Sequence, residues 1–136
     1  MASSTMTGSI RDYRDLLAWQ KAMDLAVEVD IVCDALPTKY SYLSTQMRRA
    51  VNSVHSNIAE GNGRFSRSDY LRFLSDANGS LREVESDLAF VARRFGRTKH
   101  TRDALALCEL VAKLVAGLVR SLRGDRKKEE GDQDSA

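Results

Sequence analysis

Three carboxylates in the middle of the chain are the residues whose type and spacing best suit acid–base chemistry. Glu60 lies in one helical segment, whereas Glu83 and Asp87 lie one helical turn apart in the next. The two histidines, His55 and His100, are too far apart to form a helical ligand pair. The Glu-x-x-His motif of di-iron bundles is missing, and no serine has the partners of a catalytic triad. We therefore expect no enzyme, cofactor or metal site; a hydrolase using Glu60 and Glu83 is the catalytic alternative.

A polar stripe beside the apolar face of the second helical segment predicts a structural network instead. Its residues recur at spacings of three and four, so they share one helix face with each other. We expect Arg49 to pair with a carboxylate of the third segment, such as Glu83. Glu60 lies near the negative end of its helix dipole, which predicts an arginine partner, either Arg64 or Arg49. The expected network comprises Gln46, Arg49, Ser53, Asn57, Glu60, Arg64, Ser80 and Glu83.

A basic cluster, "ARRFGRTKHTR" at residues 92–102, contains no acidic residue. Arg93 and Arg94 complement the dipole of the helix that ends there, but this role covers only part of the cluster. The cluster therefore predicts contacts with a phosphate backbone. A second basic group, at residues 64–72, is expected at the opposite end of the fold. The candidate nucleic-acid-binding residues are Arg93, Arg94, Arg97, Lys99 and Arg102.

Four helical segments must position these residues. Their predicted ranges are 12–36, 38–61, 67–95 and 101–122, and Pro37 ends the first of them. Thr38 is the expected N-cap of the second segment and Ser66 that of the third. Gly61 and Gly63 are expected to form a helix C-cap, and Gly79 to permit close helix approach.

The third segment carries the strongest periodic signal. Its apolar residues alternate spacings of four and three without a break, which is typical of a helix packed in a bundle. No segment has the pattern of a strand, and the connectors are short, so consecutive helices should be antiparallel. The predicted fold is all-α, an antiparallel up-down four-helix bundle. The seam residues are Tyr70, Leu74, Ala77, Leu81, Val84, Leu88, Val91 and Phe95.

Composition limits the remaining possibilities. The chain has 136 residues and a net charge of +2, which suits one globular domain. We expect a disordered segment at residues 1–10, the bundle at 11–123 and a charged disordered tail at 124–136. Cys33 and Cys108 lie in apolar helical patterns, which predicts reduced, buried thiols. No secretory signal or membrane-spanning run is visible, which predicts a cytoplasmic protein.

The fourth segment has an apolar arc about twice as wide as that of an ordinary surface helix. The first segment also has apolar residues away from its main stripe, namely Leu17, Leu25, Ile31 and Leu36. Apolar surface of this extent usually marks an interface. We therefore expect a homo-oligomer that uses the first and fourth helices.

Several motifs resemble a known family. They are Trp19-Gln20-Lys21-Ala22, Gln46-x-Arg48-Arg49-Ala50, Ser53, Asn57-Ile58-Ala59-Glu60-Gly61, Arg64 and Gly79-Ser80-x-x-Glu83. Together they resemble the bacterial four-helix-bundle proteins encoded in intervening sequences of 23S rRNA genes. That family is related to the accessory protein of diversity-generating retroelements. The resemblance implies a homopentamer without catalytic residues. For retroelement members it implies a basic surface that binds nucleic acid and a reverse transcriptase as partner.

Two functions follow as expectations. The first is a non-enzymatic, homo-oligomeric bundle that binds RNA or DNA through a basic surface. The alternative is a protein-binding adaptor, for example for a reverse transcriptase, without direct contact to nucleic acid. Salt-dependent RNA binding would separate the two.

Overall fold

The computed structural model of the protein describes residues 12–135, with side chains described for residues 12–124. All regular structure in that part of the chain is helical. Two short 3-10 helices, Tyr13–Asp15 and Thr38–Tyr40, precede the first two α-helices. The predicted all-α four-helix bundle is confirmed. The four α-helices are α1 (Leu17–Asp34), α2 (Ser41–Asn62), α3 (Arg67–Phe95) and α4 (Lys99–Ser135).

The helices form a square in which each packs against its neighbours in the sequence and α1 packs against α4. Within the described range, the diagonal helices do not bring their backbones into contact. Side-chain pairs show that α2 and α3 are antiparallel, because Gln46 lies opposite Asp87 and Ser53 lies opposite Ser80. The α1–α2 and α3–α4 turns therefore lie at the same end of the bundle, which we call the two-turn end.

The core follows the predicted seam. In α3 all six residues from Leu74 to Val91 in that series are buried, while Tyr70 and Phe95 pack partly buried against them. Cys33 and Cys108 are buried free thiols, as predicted. One expectation for α1 was wrong: Leu25 is fully buried and belongs to the core instead of an outer surface.

The helix starts differ in part from the predictions. Ser66 caps α3 as predicted, since its Oγ accepts a hydrogen bond of 3.1 Å from the backbone N–H of Asp69. Thr38 is not the N-cap of α2, because residues 38–40 form a 3-10 turn after Pro37 and α2 begins at Ser41. The first helix begins at Leu17 instead of Asp12, because the Asp12 side chain accepts from the backbone N–H of Arg14 and caps a separate 3-10 turn.

The glycines play roles that differ in part from those expected. Gly63 is the C-cap of α2, as predicted, but it has an ordinary right-handed φ of −82°. Gly61 lies inside the helix, so the prediction was wrong for Gly61 and for the left-handed conformation. Gly79 was expected to allow close helix approach, but nothing would lie within 4 Å of a Cβ there. Among the glycines of the described range, Gly96 has a positive φ, of 90°, and it ends α3.

The domain boundaries stay predictions. Residues 1–10 lie outside the described residues, and α4 continues past residue 123 as far as Ser135. The tail predicted at 124–136 therefore overlaps the last part of α4, which the structure describes as far as Ser135. No helix in the described range is long and apolar enough to cross a membrane.

Candidate nucleic-acid interface

The five predicted basic residues surround the α3–α4 turn at the two-turn end, and all five side chains are exposed. Arg93 and Arg94 lie in the last turn of α3, where positive charge also complements the helix dipole. Gly96 then reverses the chain, and α4 begins at Lys99. The structure thus gathers the predicted residues on one surface, which we call the basic patch: Arg93, Arg94, Arg97, Lys99 and Arg102.

The members of the basic patch differ in their partners. Lys99 forms an ion pair of 2.7 Å with Asp103, and this hydrogen bond raises the pKa of Lys99 and lowers that of Asp103. The Arg94 guanidinium lies 4.7 Å from the centre of the Phe95 ring. The other three, Arg93, Arg97 and Arg102, have no carboxylate within 4.0 Å among the described residues.

Acidic residues near the basic patch are mostly held by other side chains. Glu28 of α1 contacts His100 Nδ1 at 2.7 Å. Arg48 of α2 bridges Asp30 and Asp34 of α1 at 2.8 and 2.7 Å. The hydrogen bond to Asp30 raises the pKa of the Arg48 guanidinium. These contacts leave the unpaired guanidinium groups of the basic patch available to an outside anion.

Sequence analysis missed Lys39, which extends the patch from a different turn. Tyr40 packs edge-on against Phe95, with ring centres 5.2 Å apart, and so joins the α1–α2 turn to the end of α3. Lys39 lies beside the Tyr40 ring on the same end of the bundle. The up-down topology was the available signal, because it places the first and third turns together.

Uncharged side chains supply the hydrogen-bond donors that connect the polar stripe of α2 with α3. Gln46 Nε2 donates to Asp87 at 2.9 Å, and Ser80 Oγ donates to Ser53 Oγ at 2.9 Å. Asn57 Nδ2 donates to both the backbone oxygen and the hydroxyl of Ser53, at 2.8 and 2.9 Å. Three of the eight residues of the expected network, Ser53, Asn57 and Ser80, are therefore joined to one another, and Gln46 bonds instead to Asp87 outside it.

The charged members of the expected network are not joined. Arg49 and Glu83 line the same open groove between α2 and α3, but no ion pair of 4.0 Å or less links them. Glu60 is exposed and forms no ion pair within the described range, so its expected arginine partner was wrong. Arg64 lies instead over the Phe73 ring, 4.6 Å from its centre. Solvent exposure explains why Glu60 tolerates its place in the last turn.

The carboxylates considered for catalysis are separated. Glu83 lies level with Ala50, on the same groove, and ten residues of α2 separate Ala50 from Glu60. At 1.5 Å per residue this is about 15 Å along the helix axis, too far for both carboxylates to act on one atom. Asp87 accepts from Gln46. No group of three metal-ligating side chains is found in the described part of the chain.

Comparison with known proteins agrees with this architecture of four antiparallel helices. A model of the family described as 23S rRNA-intervening sequence protein matches residues 14–117. The chain therefore belongs to that family. A protein of unknown function from the S23 ribosomal protein family of Bacteroides thetaiotaomicron VPI-5482, solved at 1.70 Å, has the same fold, with a TM-score of 0.68. The two are 22% identical, over 76% of this chain and 98% of the other. No curated protein sequence matches.

Proposed function

We propose that this chain is a non-enzymatic helical-bundle protein that binds the phosphate backbone of RNA or DNA through the basic patch. The observation that carries the proposal is the set of exposed guanidinium groups without a carboxylate partner, three of which also have no aromatic contact among the described residues. Arg93, Arg97 and Arg102 lie within ten residues of one another on both sides of a single turn. Each can offer two parallel donors to a phosphate, which an ammonium group cannot do.

The charge pattern supports a local contact more than a general attraction. The net charge of +2 is too small to draw polyanions to the whole surface. The unpaired arginines of the basic patch are concentrated at the two-turn end, where Lys39 adds another cation. Binding would release counterions from the nucleic acid, so it should weaken steeply as salt increases.

The test compares two triple variants with the same change in charge. In the first, Arg93, Arg97 and Arg102 become alanine. The control removes three basic residues that already have carboxylate partners, through Arg14→Ala, Lys21→Ala and Arg72→Ala. Titration of labelled RNA and DNA at low salt should show binding by the native protein and the control, and a large loss in the first variant. No binding by the native protein would contradict the proposal.

A homo-oligomer forms part of the proposal, with a pentamer as the stoichiometry that the family resemblance implies. Three large apolar side chains of α1 and one of α4 are exposed in the described part of the single chain: Leu17, Val27 and Ile31, with exposures of 49%, 55% and 37%, and Leu110 with 38%. Apolar residues on neighbouring helices would lose contact with water if a second copy covered them.

Two grooves that flank α4 have complementary composition. The α1–α4 groove is lined by apolar residues that include Val27 and by three acidic residues, Asp24, Glu28 and Asp103. The α3–α4 groove is also lined by apolar residues, together with Arg82, Arg120 and Arg123. An acidic groove of one copy could therefore face a basic groove of the next, and such head-to-tail contacts generate rings when they close.

Light scattering tests the assembly directly. Val27→Lys places a charge at the centre of the α1 surface and should reduce the mass measured at micromolar concentration. Tyr42→Lys is the matched control, because Tyr42 is also exposed but lies on α2, away from both grooves. A native protein that is a monomer at micromolar concentration would contradict this part of the proposal.

The second candidate is a protein-binding adaptor, for example for a reverse transcriptase. Its supporting observation is Phe65, a fully exposed aromatic residue in the α2–α3 turn at the opposite end from the basic patch. Exposed aromatic side chains are frequent anchors of protein interfaces. Pull-down of a reverse transcriptase that is lost in Phe65→Ser and retained in the basic-patch variant would favour this candidate. Retention by Phe65→Ser would count against it.

A further inference from the structure

An apolar pocket of about 330 Å³ opens at the two-turn end, between the ends of α1 and α3 and the start of α4. Its volume falls at the lower end of the range for ligand sites. The walls are aliphatic with one aromatic ring, and polar groups come only from the α3–α4 side. The pocket is lined by Ile31, Val32, Ala35, Leu36, Val91, Phe95, Gly96, Thr98, His100 and Thr101.

The pocket and the basic patch share one stretch of chain. Gly96, Thr98 and His100 line the pocket, and the intervening positions are Arg97 and Lys99. The next lining residue, Thr101, is followed directly by Arg102. Basic residues therefore alternate with pocket-lining residues along the turn. A phosphate bound by the basic patch would for this reason lie close to the pocket opening.

We propose that this pocket receives an unpaired nucleobase of a single strand whose phosphates contact the basic patch. The inference rests on the nucleic-acid binding proposed above and narrows it to single-stranded regions. Proteins that bind single strands commonly combine cations that contact the backbone with apolar surfaces that contact the bases, since every base has an apolar face. A base within a duplex is stacked on both sides and cannot enter the pocket.

The pocket walls are held in place without a ligand. Phe95 is fixed by the edge-on contact with Tyr40 on one side and by the Arg94 guanidinium on the other. The Thr98 and Thr101 hydroxyls bond each other at 3.1 Å. Glu28 holds the His100 ring through Nδ1, and Nε2 has no partner among the described residues. That nitrogen is a hydrogen-bonding group for the edge of an inserted base.

The first measurement compares two labelled single strands of equal length, an oligothymidylate and an abasic strand with the same phosphates. Fluorescence anisotropy at low salt should show that the abasic strand binds about 5- to 150-fold more weakly, the range for losing one base contact. Equal affinity for the two strands would overturn the base pocket but would leave the proposal of phosphate binding intact. Equal affinity is also the result expected if the pocket receives an aromatic side chain of a protein. Failure of both strands to bind would overturn the base pocket, and failure of labelled duplex RNA and DNA as well would overturn the proposed function.

A pocket-filling variant makes the test specific. Ala35 is exposed at the end of α1 and is one of the residues that line the pocket, so Ala35→Phe should fill the site without disturbing the core. We expect the variant to bind the oligothymidylate only as weakly as the native protein binds the abasic strand, with unchanged affinity for the abasic strand. Ala89→Phe makes the same change on an exposed position of α3 outside the pocket and should bind both strands as the native protein does. The proposal would be overturned if Ala35→Phe weakened the affinity for both strands equally, or if it left both affinities unchanged.

Discussion

Gly61 of α2 and Phe73 of α3 approach so closely that a Cβ at Gly61 would lie 2.9 Å from the Phe73 Cβ. The same Cβ would lie 3.0 Å from a ring carbon of Tyr70, whose hydroxyl accepts a hydrogen bond from the Asn62 side chain at 3.4 Å. A Cβ cannot move away by a rotamer change, so the helices themselves would have to separate. The missing side chain at Gly61 sets the distance between α2 and α3 near their turn.

Replacement of Gly61 by alanine should therefore destabilise the bundle. Overpacking costs about 1–3 kcal/mol, and the better helix propensity of alanine offsets up to about 1 kcal/mol of that. We expect a net loss of about 1–2 kcal/mol in the free energy of unfolding, measured by urea denaturation. An unchanged or higher unfolding midpoint would contradict the close contact.

The opposite result is expected at Gly79, which makes it the matched control. It lies in the interior of α3, and a Cβ at this position would have no other atom within 4 Å. Gly79→Ala should stabilise the protein by about 0.5–1 kcal/mol through helix propensity alone. A loss of stability at Gly79 would indicate a contact made in the assembled protein and absent from the single chain.

Arg48 and Arg49 are adjacent but should respond differently to alanine substitution. Arg48 bridges two carboxylates of α1, whereas Arg49 has no ion pair within the described residues. Because the Arg48 cluster is largely solvent-exposed, we expect Arg48→Ala to cost about 0.5–1 kcal/mol and Arg49→Ala to stay within about 0.5 kcal/mol of native. Thermal unfolding of both variants at low and high salt measures this, and a larger loss for Arg49 would contradict the observed pairing.

Alkaline pH should destabilise the fold through Cys108. Burial raises the pKa of this thiol from about 9 to about 12. Between these values the unfolded chain releases the proton and the folded chain keeps it, so stability falls as the pH rises. The stability that depends on the protonated Cys108 thiol is fully present below pH 9. Above pH 9 the free energy of unfolding falls by about 1.4 kcal/mol per pH unit.

Urea denaturation of the native protein and Cys108→Ala isolates this effect from other groups that titrate at high pH. Any stability advantage of the native protein over Cys108→Ala should shrink between about pH 9 and about pH 11. A difference that stays constant over that range would show that the thiol does not keep its proton in the folded protein.

The sequence predicted well those features that depend on one helix alone. The α3 seam was visible because its apolar spacing continues without a break over the length of the helix. Ser66 was recognisable because an N-cap is a local arrangement of one side chain and one nearby backbone donor. The basic patch was also local, since all five of its members lie on a single connection between two helices.

Features that depend on how two helices are placed against each other were harder to predict. The α2 stripe predicted that Arg49 would pair with a carboxylate of α3, but no ion pair links Arg49 to Glu83. The neighbouring Arg48 forms ion pairs instead with α1, because successive side chains on a helix point about 100° apart. Glu60 needed no arginine because water reaches it. Gly61 resembled a C-cap, but its role depends on Phe73, which lies on another helix.

The salt dependence of nucleic-acid binding is the most direct measurement of the proposed function. For a single strand, the slope of log K against log salt is about −0.7 for each phosphate contact. If Arg93, Arg97 and Arg102 each contact a phosphate, their triple alanine variant should have a slope smaller in magnitude by about two. The control variant at Arg14, Lys21 and Arg72 should keep the native slope. Equal slopes for the native protein and the basic-patch variant would show that the basic patch does not bind the backbone.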